Sequence, residues 1–160
     1  MPVFNRFFPQ PGPQGPQLSP TLLLHAGPIL AVEVSIPTAL AQILASQNQV
    51  APPPATGIAL IDTGATRSCV DSKVISQLGV NPIGVITTGT AGGPVQQSLF
   101  PARFRFPGEG LDIEFSSVVG VDLAGQNVAG RNIIVLVGRD VLSHCQLIYN
   151  GPGGFFTLAY

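Results

Sequence analysis

Charge is what this sequence has least of. Only 9% of its 160 residues are charged, against the ~25% usual in a soluble domain. Seven scattered cations face eight anions, for a formal net charge of −1. A nucleic-acid partner, which needs clustered Lys and Arg to meet phosphates, is therefore excluded from the expectations. So few charges also favour self-association. Cysteine is nearly as scarce: Cys69 and Cys145 are too few for a disulfide framework. Apart from His144 beside Cys145, neither has a Cys or His at metal-ligand spacing, so both are expected as buried thiols and no metal site is expected. His25 and His144 have no spaced companions and read as surface or satisfied histidines, while Ser68 lacks a nucleophile-elbow context. No run approaches the ~18 apolar residues of a membrane span, and no basic start leads into an apolar secretory segment. The compartment stays open, with the cytoplasm slightly favoured.

What is present is 45% hydrophobic residues in a chain long enough for one cored domain and too short for two. Residues 1–20 hold six prolines, interleaved with glutamines and Phe4, Phe7 and Phe8, and are expected to form a disordered tail. Residues 21–160 are expected to be the folded domain. From Leu22 the pattern reads as strands. Leu30, Val32, Val34 and Ile36 alternate with Ala31, Glu33 and Ser35, the period of two of a half-buried strand. Leu40, Ile43 and Leu44 take helical spacing over 38–47, before the breaker Pro52-Pro53-Pro54, which makes 38–55 a helix and linker. Asp71 or Ser72 caps a short helix over 73–78 that ends at Gly79.

A β-branched run, Val85 to Thr88, meets the small residues Gly89-Thr90-Ala91-Gly92-Gly93 and then a clean alternation. Phe100, Ala102, Phe104 and Phe106 share one face, with Pro101, Arg103 and Arg105 on the other. This is a long hairpin with a glycine-rich tip. Leu111, Ile113 and Phe115 mark another strand, with Val118 to Leu123 as its continuation. A polar turn over 125–131 precedes the apolar strand 132–137, and a last short helix or turn begins at Asp140. The end reads as strand (146–149), turn (150–154) and strand (155–158). An apolar C-terminal strand frays unless tied down, so this one is expected to find a partner sheet.

Two blocks carry chemistry. In Ala59-Leu60-Ile61-Asp62-Thr63-Gly64-Ala65-Thr66 an apolar strand ends in a carboxylate, a hydroxyl beside it, and a glycine that lets the backbone turn tightly. Asp-Thr-Gly is also an ordinary way to end a strand, because Asp and Thr bond their own backbone there. The second block, Ile133-Ile134-Val135-Leu136-Val137-Gly138-Arg139-Asp140-Val141-Leu142, is an aliphatic strand followed by Gly-Arg-Asp. In order and separation the two blocks resemble the retroviral-type aspartic proteases, the retropepsin-like family.

That resemblance implies an all-β closed barrel or sandwich with a flap hairpin and one or two short helices, no cofactor, and a peptide or protein substrate. It implies Asp62 as the catalytic residue, Thr63, Gly64 and Ala65 as support of its loop, and Gly138, Arg139 and Asp140 as structural. Thr88, Gly89, Thr90, Ala91, Gly92 and Gly93 would form the flap, and 38–55 would be an insertion. Peptide hydrolysis of this kind needs two carboxylates that share a proton, one activating water and one hydrogen-bonded to the developing oxyanion. The chain has a single Asp-Thr-Gly. The resemblance therefore implies a homodimer that sets Asp62 against its copy, Thr63 bracing the two loops across the interface and the terminal strands interleaving. In many members of that family an acidic residue after Asp-Thr-Gly-Ala can pair with this arginine, but here Thr66 and Arg67 follow, so Asp140, a backbone carbonyl, or no specific group is the expected partner of Arg139. Two other readings stand beside this one: a catalytically silent peptide-binding and dimerisation module of the same fold, and a structural assembly protein in which Asp62 is a turn residue.

Overall fold

The computed structural model describes residues 2–90 and 92–160. In chain order the first elements are β1 (Val3–Phe7), β2 (Pro9–Gln10), β3 (Gln17–Leu18), α1 (Pro20–Ala26), β4 (Ile29–Ser35), α2 (Thr38–Ser46), β5 (Ala55–Ile61), β6 (Cys69–Asp71) and α3 (Ser72–Gln77). They are followed by β7 (Gly84–Thr90), β8 (Gly93–Phe106), β9 (Leu111–Val121), β10 (Asn127–Val128), β11 (Arg131–Val137), α4 (Arg139–Leu142), β12 (Gln146–Asn150) and β13 (Phe155–Ala159).

Strand pairing closes on itself. From β11 the hydrogen bonds run through β5, β4, β8, β9 and β6, and β6 pairs with β11 again. The result is a closed, mostly β barrel, the all-β architecture expected of the sequence. Two of its joints are parallel, β11 with β5 and β6 with β9; the others are antiparallel. The alternations decide which residues fill it. Leu30, Val32, Val34 and Ile36 of β4 and its exit are buried, as are Phe100, Ala102, Phe104 and Phe106 of β8. Arg103 and Arg105, on the other face of β8, pair with Asp112 and Glu33 at the surface. Solvent screens these pairs, and they add little to stability.

The helix over 38–46 forms as its spacing predicts. Its N-terminus is fastened to β9 by Glu114, whose carboxylate accepts from the Thr38 amide (2.9 Å) and hydroxyl (2.7 Å). Those two bonds hold the Glu114 carboxyl below its ordinary pKa. Asp71, rather than Ser72, caps α3: its Oδ1 accepts from the amides of Lys73 and Val74. Its Oδ2 accepts from Leu123 N–H, joining that helix to the end of β9. Among the described residues four short helices form rather than one or two. Of these, α1 occupies a stretch expected to begin the strands. Ser19 caps it, accepting from Leu22 N–H, Pro20 stands in its first turn, and Gly27 closes it at φ 68°. Those are ordinary helix signals, masked in the sequence by three consecutive leucines that fit either period.

The largest departure concerns residues 1–20. Expected as a disordered tail, they contain β1, which pairs antiparallel with β13 from Val3↔Ala159 to Phe7↔Phe155. They also contain the small β2–β3 ladder. Phe8 is buried against Phe156, and Ser19 N–H donates to the Phe8 carbonyl. Prolines disfavour an isolated regular element, but they do not prevent an edge strand supplied with a template.

The C-terminal strand accordingly finds its partners within the chain. β13 lies between β1 and β12, and both of its edges are taken. Deleting residues 1–8 exposes one edge of an apolar strand, which is a template for pairing between molecules. We expect the truncated chain to associate at lower protein concentration than the full chain, as read by sedimentation velocity.

Candidate active site

β5 and β11 run parallel, Ala59 beside Val135 and Ile61 beside Val137. Both are buried along their middles, so the loops leaving their ends are set side by side by the core. The ladder runs on one step past the strand: Asp62 N–H donates to the Val137 carbonyl at 2.9 Å. At the turn, the Asp62 carboxylate folds back on its own loop. Its Oδ1 accepts from the amides of Gly64 (2.8 Å) and Ala65 (3.2 Å), the self-capping that makes Asp a turn residue. Oδ2 has no hydrogen-bond partner among the described residues, and Asp62 is half exposed.

A second set of bonds locks this loop to the turn after β11. Arg139 N–H donates to the Ala65 carbonyl at 2.9 Å. The guanidinium donates to the Thr66 hydroxyl at 2.8 Å and the Thr63 carbonyl at 3.4 Å, which supplies the partners for Arg139 that the sequence left open. Beneath it lies a knot that sequence reading missed. Ser68 is 1% exposed; its hydroxyl accepts from Gly138 N–H (3.0 Å) and donates to Asp140 Oδ1 (2.7 Å). Asp140 also accepts from the amides of Ser68 and Val141. The packing is so close that a Cβ on Gly138 would lie 2.5 Å from the carbonyl carbon of Arg67 and 2.6 Å from its oxygen.

These bonds sort the five aspartates of the chain. Asp71 caps a helix, Asp112 pairs with Arg103, Asp122 accepts from the Ala124 amide, and Asp140 is spent in the Ser68 knot. Asp62 and Asp122 each keep a carboxylate oxygen without a partner among the described residues; Asp122 is exposed in the loop after β9, whereas Asp62 follows directly on the buried strand β5.

The loop faces a cavity of about 400 Å³. On one side lie residues 64–67 and Cys69; on the other lie residues 86–90 and Gln97 of the β7–β8 hairpin; Val119 and Val121 line it from β9. Of the expected flap, Thr88, Gly89 and Thr90 line this space, whereas Gly92 and Gly93 do not. Ala91 lies outside the described residues. The hairpin is paired to its end, Thr90↔Gly93, and Gly93 turns at φ 105°. Ile86, Thr87, Gln97, Val119, Val121 and Arg67 were not legible as lining residues. The period-two pattern of β7 and β9 gives their faces but not which face meets the loop.

The cysteines are half-buried rather than buried as expected. Burial, followed by the nearby charges of Asp140 and Asp62, pushes the Cys69 thiol from 9.0 up to about 11, with Arg67 acting the other way. Burial raises Cys145 as well. A pKa raised in the folded chain means that, between pH 9 and about 11, the unfolded chain has lost the Cys69 proton that the folded chain retains. Stability therefore falls as pH rises through that window. We expect the urea midpoint to drop between about pH 8 and pH 10.5, with a shallower drop in Cys69→Ala.

No family model matches the chain, and no curated protein sequence does. Solved structures do resemble it. The protease of simian foamy virus (mac) is 18% identical with a TM-score of 0.40, covering 71% of this chain and 91% of that one. The retroviral protease-like domain of Ddi1 from Leishmania major is 19% identical with a TM-score of 0.38, covering 77% and 82%. A retropepsin-like aspartic protease from Rickettsia conorii is 13% identical with a TM-score of 0.40, covering 99% and 92%. None of these likenesses reaches the identity at which a shared activity follows. Among the described residues no helix is long and apolar enough to cross a membrane, and no group of three or more His, Cys, Asp or Glu could hold a metal.

Proposed function

We propose that this chain is an aspartic endopeptidase that works as a homodimer, with Asp62 of two copies forming a proton-sharing pair that hydrolyses extended peptides bound beneath the β7–β8 hairpin. The observation that carries the reading is the state of Asp62. One of its oxygens is fixed by two loop amides and the other has no partner among the described residues. Asp71, Asp112 and Asp140 have both oxygens bonded, and Asp122, which also keeps one without a partner among the described residues, is exposed in a surface loop rather than at the end of a buried strand. A single carboxylate is half of such a site, and a two-fold axis supplies the other half.

In the pair, the ionised carboxylate takes a proton from water as its oxygen bonds to the peptide carbonyl carbon. The protonated partner gives its proton to the carbonyl oxygen. Collapse of the tetrahedral species breaks the C–N bond, and a proton passes to the leaving amine. Thr63 suits the bracing role across the axis, because its hydroxyl has no bond among the described residues. Gly64 and Ala65 hold the carboxylate. Gly138, Arg139 and Asp140 fix the loop from behind. Thr88, Gly89 and Thr90, which line the cavity, would close over substrate as part of a flap tip formed by residues 88–93.

One observation favours a second reading, a catalytically silent peptide-binding module. Both edges of β13 are already paired within the chain, so interleaving of terminal strands requires β1 or β12 to yield its place. The deciding experiment digests a diverse peptide mixture from about pH 4 to pH 7, the range in which such a pair titrates. Cleavage that rises toward acid and disappears in Asp62→Asn establishes the enzyme. Peptide binding without cleavage at any pH establishes the silent module.

A further inference from the structure

Resting on that reading of the site, we infer that Arg67 sets the substrate class: the cavity beside the Asp62 loop takes an acidic side chain of the bound peptide. Among all its lining residues Arg67 is the single charged one. The rest are small, hydroxylic, aliphatic or, at Gln97, amide-bearing. No carboxylate lies within ion-pair distance of the guanidinium among the described residues, where the only Lys or Arg pairs are Arg103–Asp112 and Arg105–Glu33. The side chain is also positioned. Its Nη2 donates to the Ser117 hydroxyl (2.8 Å) and carbonyl (3.2 Å), leaving Nε and Nη1 without partners among the described residues.

A half-buried guanidinium anchored through Nη2, with Nε and Nη1 unpaired among the described residues and its residue lining the cavity, is a charged donor for a carboxylate. Either of those two nitrogens can donate to one carboxylate oxygen, and such a bond is charge-assisted. The nearby carboxylates do not take it: Asp140 already accepts from Ser68 and Val141, and neither Asp140 nor Asp62 is within ion-pair distance of it. Partial burial weakens screening by salt and water, so the preference survives at ordinary ionic strength.

The test uses pairs of peptides that differ only in one glutamate or glutamine, scanned along a cleaved sequence at about pH 6, where a glutamate is ionised. At one position the full chain is expected to prefer glutamate in kcat/KM on the order of tenfold. Arg67→Gln removes that preference and Arg67→Lys restores part of it, with melting curves confirming that each variant folds. In parallel, the affinity of the same peptides for Asp62→Asn is measured by fluorescence anisotropy, a readout independent of catalysis. Binding that prefers glutamate, lost when Arg67→Gln is added, upholds the role of Arg67 even if nothing is cleaved, in which case the endopeptidase reading alone fails. Cleavage or binding indifferent to the exchange at every position overturns the inference, as does a preference unchanged by Arg67→Gln. Should both Arg67 variants fail to fold, the ratio in the unaltered chain decides.

Discussion

Asp62→Asn is expected to abolish peptide cleavage while leaving the fold close to unchanged, and the local geometry explains both halves of that result. Asparagine keeps an oxygen at the position of Oδ1, so the amides of Gly64 and Ala65 retain their acceptor. It cannot take a proton from water. Removing a general acid or base of this kind costs about 10²–10⁴-fold in rate. The midpoint of urea denaturation should stay near that of the parent chain, which separates lost chemistry from lost structure. The proposed pairing of copies adds a sharper readout. If each site needs Asp62 from two chains, mixing the parent with an equal amount of Asp62→Asn and allowing subunits to exchange should lower activity to about half, because mixed dimers are dead. Activity undiminished by the added variant would show that each chain works alone and would exclude the shared site.

Gly138→Ala carries the largest expected loss of stability. Its φ of −90° is open to any residue, so the cost is one of space. The new Cβ would meet the Arg67 carbonyl group at 2.5–2.6 Å and the Ser68 amide nitrogen at 2.8 Å. These are backbone atoms, and Ser68 N–H is itself held by Asp140. No side chain can swing aside, and the strain falls at the upper end of the usual range for overpacking, about 3 kcal/mol. The variant should show it as a lowered urea midpoint. Any activity that remains should fall too, because the atoms pushed apart join the Asp62 loop to the turn after β11. A Gly138→Ala chain as stable as the parent would mean that the two loops are not packed as described.

Much of the barrel was legible because it rests on short-range pattern. The alternation of β4 and of β8 names their buried faces, the aliphatic runs ending at Ile61 and Val137 mark strands buried along their length, and Asp71 and Gly79 bracket α3. The turn chemistry of Asp62-Thr63-Gly64 was equally local, since the carboxylate bonds amides two and three residues ahead. Residues 1–20 went the other way. Their prolines speak against a free-standing element, but β1 is stabilised by an edge of β13 more than 140 residues away along the chain, which no local pattern reports. Ser68 and Asp140 were opaque for the same reason: 72 positions separate them, and neither residue type announces a partner at that distance.

The sequence by itself determined that this is a β-rich chain with few charges, that Asp62 ends a buried strand in a tight turn, and that a second carboxylate of the same kind is absent from it. These are properties of residue type, spacing and period, which act over a few neighbours. Only the tertiary structure decided that β5 and β11 lie parallel, with the Asp62 loop bonded to Arg139 and knotted to Gly138 through Ser68. It likewise decided that Arg67 and the β7–β8 hairpin share one cavity, and that both edges of β13 are filled from within. Closure of the barrel imposes those proximities, because six strands paired in a ring leave each loop one set of neighbours, whatever the distance along the chain.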